Sequence, residues 1–248
     1  MKAVFWGIFV VYQVVSVIGN WRGSDNAPAE RVKRLTALQF PLLMIACWIS
    51  VRDGVLGRSL ASPLFIAAGI VLGYCVHAAS LVITNLPAPP GVLLRDLATY
   101  ISKGRDRWYY FVESPSIMIM LVSNSIIEEV IYRAVAQRLL IEATGQPMLG
   151  IAAVAVLFAL AHSHFLRGHL LETMEFMAYS VALGALYYAT GSLVFVIVIH
   201  TVRNFELYFQ AFFHACEEND SREAALEAVN NNPPHASGHG DNRLSEQS

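Results

Sequence analysis

Charge is scarce in this chain. Only 15% of its 248 residues are Asp, Glu, Lys or Arg, against about a quarter in soluble globular proteins. The formal net charge of −2 leaves no excess of basic residues, and with it no electrostatic footprint of a nucleic-acid binder. Cysteine is scarce too. Cys47, Cys75 and Cys216 are widely spaced and odd in number, which excludes a C-x-x-C pair or a disulfide framework and leaves them as small apolar packing residues. Several protease signatures are also missing. There is no H-E-x-x-H helix, no G-x-G-D aspartyl motif and no serine motif on an apolar stretch, because Gly57-Arg58-Ser59 sits in a charged connection. No internal repeat is visible, which disfavours carriers built from paired repeats.

What the chain has in abundance is apolar sequence, 55% of all residues. Runs near 2–20, 35–51, 61–86, 108–140, 148–165, 172–189 and 192–213 approach the ~20 residues that cross a bilayer. The expected fold class is all-α: a polytopic transmembrane helix bundle of about seven spans, with any active site in a cavity between helices. Trp6, Trp21, Trp48 and Trp108 fall near the proposed ends, as interfacial aromatics do. Pro87, Pro89, Pro90 and Gly91 break the chain after the third run. Residues 92–103 then place Leu93, Leu94, Leu97 and Ile101 on one stripe, the pattern of a helix lying in the headgroup plane. Arg22, Arg31, Lys33, Arg34, Arg95, Lys103, Arg105, Arg107 and Arg167 fall on alternate connections. The positive-inside rule puts those connections and the C-terminal tail in the cytoplasm. The organisation expected is an N-terminal set of helices over 1–107, a catalytic helical core over 108–216, and a polar, disordered tail over 217–248, with a short helix possible around 222–229.

Ionisable side chains at bilayer depth cost several kcal/mol and are functional candidates by default. The fourth run carries Glu128, Glu129 and Arg133. At about 100° per residue, Arg133 lies roughly 40° from Glu129 and roughly 140° from Glu128. Glu129 and Arg133 therefore form an i, i+4 pair, acid before base, and Glu128 is left facing elsewhere. The fifth run carries Phe158 and His162, the seventh His200 and Asn204, each pair one turn apart. Three helices can thus converge a carboxylate, two imidazoles and a carboxamide, the groups needed to activate water and hold an oxyanion. His77 reads as a satisfied polar packer in the third run. Glu172, Glu175 and an Arg203/Glu206 pair read as interfacial or helix-pairing, and His164, His169 and His214 as interfacial.

Glu128-Glu129-x-x-x-Arg133, Phe158-x-x-x-His162 and His200-x-x-x-Asn204, in that order on separate apolar helices, resemble the motifs of the CPBP (CAAX protease and bacteriocin-processing, Abi) intramembrane proteases. The resemblance covers residues 113–213. It implies an endopeptidase acting on a membrane-associated protein or peptide, in which Glu128 and His162 activate water and His200 and Asn204 bind the oxyanion. Glu129 and Arg133 would be a supporting ion pair, with Phe158 beside His162. Whether a metal takes part stays open: a metal-free glutamate mechanism is preferred, and the alternative is zinc held by Glu128, His162 and His200. The compact chain fits a bacterial member in the plasma membrane, with lipid and a polypeptide substrate as partners, no nucleic acid, and an unspecified oligomeric state. The competing readings are a non-catalytic scaffold or immunity protein and a proton-coupled transporter.

Overall fold

The computed structural model describes residues 1–21, 28–55, 62–86, 88–162 and 170–231, and every regular element among them is helical. The chain order is α1 (Lys2–Trp21), α2 (Pro28–Arg52), α3 (Pro63–Thr84), α4 (Pro90–Ser102), α5 (Gly104–Glu113) and α6 (Pro115–Glu129). A π-helical stretch, Val130–Gln137, continues α6 without a break into α7 (Arg138–Thr144). Then come α8 (Pro147–Ala161), α9 (Leu170–Thr190), α10 (Leu193–Glu218) and α11 (Arg222–Asn231). Proline opens α2, α3, α4, α6 and α8, where its fixed φ suits the first turn and its missing N–H costs nothing. Gly145 and Gly191, both at φ +65°, close α7 and α9 in the left-handed conformation that a helix stop favours.

Three stretches, Pro63–Thr84, Pro115–Thr144 and Leu193–Glu218, are long and apolar enough to cross a membrane by length and composition. Lys2–Ile18, Ala37–Arg52 and Pro147–Ala161 are apolar but shorter. Of the seven spans expected, three therefore meet the length and hydropathy requirement unaided. The fourth run is also split. Ser114 and Pro115 end α5 before the long helix begins, so Trp108 rides on a separate short helix. Large apolar side chains such as Leu64, Val71 and Ile119 point outward, as helices bathed in lipid require.

The main core gathers around the π stretch, all eight residues of which are buried. Phe5 and Phe9 of α1, Leu42 and Ile49 of α2, Phe158 of α8 and Leu183 of α9 join it. Gln13 on α1 donates to the Tyr132 hydroxyl at 2.7 Å, satisfying a polar atom inside this core. Two close approaches tie the long helices together. A Cβ at Gly184 would stand 2.7 Å from Gln137 Oε1, and one at Gly73 would stand 2.7 Å from Val202 Cβ.

A second cluster joins Tyr110, Phe205, Phe209 and Phe212 to Ala225 and Val229 of α11. The possible short helix near 222–229 thus exists as α11 and is docked on α10 through its apolar side, so the chain stays ordered past Glu217. Residues 232–248, with His235 and His239, lie outside the described residues. So do Arg22, Arg58, Pro87, His164, Arg167 and His169, together with the surroundings of Arg31, Lys33 and Arg34. In α4, Leu93 and Leu97 are half-buried while Leu94 and Ile101 are exposed, which gives this helix an apolar outer side as well.

Candidate active site

Three helices meet at Glu128. The carboxylate lies near the end of α6, with its Oε1 3.5 Å from His162 Nε2 and its Oε2 3.5 Å from His200 Nε2. Both contacts are at the outer limit of hydrogen bonding, a looseness common before substrate binds. The side chain of His200 is 4% exposed and that of Glu128 19%, so Glu128 faces accessible space while His200 lies behind it.

The rear nitrogen of each imidazole is engaged. His162 Nδ1 is 2.9 Å from the Phe158 carbonyl. A carbonyl can only accept, so Nδ1 carries a proton there and Nε2 is turned towards Glu128. His200 Nδ1 is 2.8 Å from Glu129 Oε1. The other oxygen of Glu129 accepts from Arg133 Nε at 3.3 Å, and Arg133 Nη2 donates to Ser180 Oγ at 2.9 Å. Glu129 and Arg133 are both fully buried. The pair expected from the sequence is present, and it has a further attachment that the sequence did not show: it grips His200.

The backbone explains how adjacent carboxylates take different tasks. The α-helix gives way to the π-helix immediately after Glu129, so the regular 100° step does not extend to Arg133. A π segment widens the turn and often marks a functional site. Here Arg133 still reaches back to Glu129 while extending sideways to α9. Phe158 packs 4.5 Å from the His162 ring and edge-on to Tyr132 at 4.9 Å, and the Arg133 guanidinium lies 5.3 Å from its centroid.

His162 departs from expectation in its setting. It caps α8, which ends at Ala161, rather than lying inside a span. Asn204 follows His200 by one turn on α10, is half-buried, and has no side-chain partner among the described residues. Arg203 and Glu206 do not pair with each other. Arg203 Nη2 donates to both oxygens of Glu175 on α9, at 3.1 and 2.9 Å, while Glu206 receives Arg107 of α5. Ser80 on α3 also donates to Glu175. Residues on different helices share no spacing that a sequence could reveal, and this is why Ser180, Tyr179 and the Glu175–Arg203 pairing were missed. The one available signal was charge placed inside apolar runs.

Among the described residues no set of three His, Cys, Asp or Glu side chains is spaced to hold a metal ion. The three candidate zinc ligands lie together as one carboxylate flanked by two imidazoles.

The fold and site define an all-helical membrane protein with a glutamate held between two histidines inside the bundle. Residues 111–205 match the family described as Type II CAAX prenyl endopeptidase, Rce1-like. The match spans all three motifs, agrees with the resemblance read from them, and supports a peptide hydrolase working at a membrane. No curated protein and no solved structure matches the chain.

Proposed function

We propose that this protein is an intramembrane endopeptidase that hydrolyses a peptide bond of a membrane-associated polypeptide with water activated by Glu128. The observation that carries this reading is the placement of Glu128 between His162 and His200, with each imidazole fixed from behind.

Glu128 and His162 form the basic side of the site. Both present acceptors towards the same space, so a water there gives its proton to one of them as its oxygen attacks the scissile carbonyl carbon. The proton then passes to the leaving amine, and the products are a carboxylate and an ammonium. His200 and Asn204 form the electrophilic side. Because the Nδ1–H of His200 is committed to Glu129, Nε2 can donate to an oxyanion only when the ring is doubly protonated. The Asn204 amide, free of other partners among the described residues, supplies the second donor. Preorganised donors of this kind contribute about 2.7–4 kcal/mol each to transition-state stabilisation.

In this reading the C-terminal segment lies on the cytoplasmic side of the membrane, from the distribution of Arg and Lys along the sequence. The test is comparative membrane proteomics of cells carrying wild type or Glu128→Gln at matched folded levels. New peptide termini present only with wild type support the reading and identify the substrate. Identical termini in both overturn it.

A further inference from the structure

Beyond His200 the same helix carries a second buried polar cluster. The contact between α3 and α10 is close at Gly69 and Gly73. One turn further along α3 stand His77 and Ser80, both buried. Opposite them on α10 are Arg203 and Glu206. His77 is 1% exposed, and among the described residues neither of its ring nitrogens has a partner. The Tyr100 hydroxyl, the Tyr179 hydroxyl and Arg203 Nε are likewise buried without partners.

These groups form a connected series. The His77 ring is 5.4 Å from that of Tyr100. Arg107 lies 4.7 Å over Tyr100 and pairs with Glu206 at 2.9 Å. On the other side, the Arg203 guanidinium is 4.3 Å from the Tyr179 centroid, and Tyr179 stands edge-on to His200 at 5.9 Å. The two groups meet at Ser80, which shares α3 with His77 and donates to Glu175, the partner of Arg203.

Each unmade hydrogen bond of a buried group costs about 1–3 kcal/mol, so several together would consume much of a domain's ~5–15 kcal/mol of stability. Their chemistry indicates what fills them. Arg107 faces Glu206 and Arg203 faces Glu175, so the cluster is charge-balanced and calls for neither an anion nor a cation. The hydroxyls and Arg203 Nε–H donate, while His77 offers one donor and one acceptor in either neutral tautomer. Lipid chains can supply neither. A small neutral molecule that both gives and takes hydrogen bonds fits, and buried waters characteristically make two to four such bonds.

We propose that His77, Tyr100, Tyr179 and Arg203 line a hydrated chamber between α3, α4, α9 and α10 that holds the water consumed at Glu128. The supply role rests on the proteolytic reading above; the hydration does not. Each turnover takes one water, whose oxygen bonds to the scissile carbon and whose protons end on the products. His77 is a positioning residue in this scheme, because it touches water upstream of the reacting atoms.

Radiolytic hydroxyl-radical footprinting of the intact protein in lipid nanodiscs, with no substrate present, tests the hydration directly. Tyr179 and Tyr132 are comparably buried, but the Tyr132 hydroxyl is already bonded to Gln13. The chamber predicts labelling of Tyr179 several-fold faster than of Tyr132, and equal slow labelling overturns it. His77→Phe should cut labelling of Tyr179 and Tyr100 several-fold and lower kcat about tenfold with KM unchanged. If labelling falls and kcat holds, the supply role is overturned. Tyr100→Phe, which removes only a hydroxyl, should likewise slow labelling of Tyr179 and lower kcat should His77→Phe not fold.

Discussion

His200 and Glu129 are joined by a 2.8 Å contact between Nδ1 and Oε1, although they lie on different helices and neither is the group that meets water. That contact fixes the imidazole so that Nε2 faces Glu128, and it gives Glu129 a task beyond neutralising Arg133. Outer partners of this kind typically change activity 10–100-fold when removed. Glu129→Gln keeps an acceptor for Nδ1 but removes the carboxylate that His200 and Arg133 share. It should lower kcat by about 10–100-fold with little change in KM, measured on protein shown to be folded by circular dichroism.

Arg133→Ala should act on folding first. It strands the carboxylate of Glu129, which is fully buried, and breaking one half of a buried ion pair costs about 3–5 kcal/mol. Arg133→Lys should recover little, because one ammonium cannot span both Glu129 and Ser180 as the guanidinium does. Thermal unfolding in detergent, followed by tryptophan fluorescence, reads both variants.

Gly184→Ala tests whether the π stretch depends on the close approach of α9. The added Cβ would meet Gln137 Oε1 at 2.7 Å and Ile151 Cγ2 at 3.0 Å, and it would press on the helix whose Gln137 donates to the Gly184 carbonyl. Overpacking of this kind costs about 1–3 kcal/mol. The same measurement should show a lower midpoint, with activity per folded molecule also reduced because Arg133 lies beside the same glycine.

Away from the site, Asp53 makes a pH-dependent contribution. Hydrogen bonds from Arg52 and Arg138 hold its carboxyl below the usual carboxylate range, with Arg138 Nη2 at 2.6 Å. A depressed folded-state value means that the stabilisation is complete above the unfolded value near pH 4. It is lost as pH falls through the lower folded value. Asp53→Asn should therefore be less stable than wild type at neutral pH, by about 1 kcal/mol or less at this partly exposed position. The difference should vanish in strong acid.

The legible and illegible parts of this molecule divide along a physical line. Helical periodicity and apolar run length act within a segment, so all-helical architecture, the Glu129–Arg133 pair and the helical register of Phe158 with His162 and of His200 with Asn204 could be read in advance. The convergence of Glu128, His162 and His200 was inferable only because charged groups in apolar helices need partners. The contacts of His200 with Glu129, of Arg133 with Ser180 and of Arg203 with Glu175 join separate helices and left no pattern. The π stretch was equally hidden: nothing in Val130–Gln137 distinguishes five-residue from four-residue bonding by composition. Helix ends inside an apolar run were not legible either, because run length ignores where proline stops a helix, as at Pro115.

Chelation separates the two chemistries weighed for this site. If Glu128 acts as a base flanked by His162 and His200, proteolysis should survive dialysis against 1,10-phenanthroline with less than about a twofold loss, well under the ~10-fold that 1.4 kcal/mol represents. Loss of activity restored by zinc would return Glu128, His162 and His200 to the role of ligands.

The most direct test of the central claim is hydrolysis in H2¹⁸O by purified protein in proteoliposomes, using a membrane-anchored peptide library and mass spectrometry of the fragments. The account predicts one ¹⁸O in each new C-terminal carboxylate with wild type, and no new termini with folded Glu128→Gln. Equal cleavage by the two proteins would contradict it, because an amide at residue 128 cannot take a proton from water.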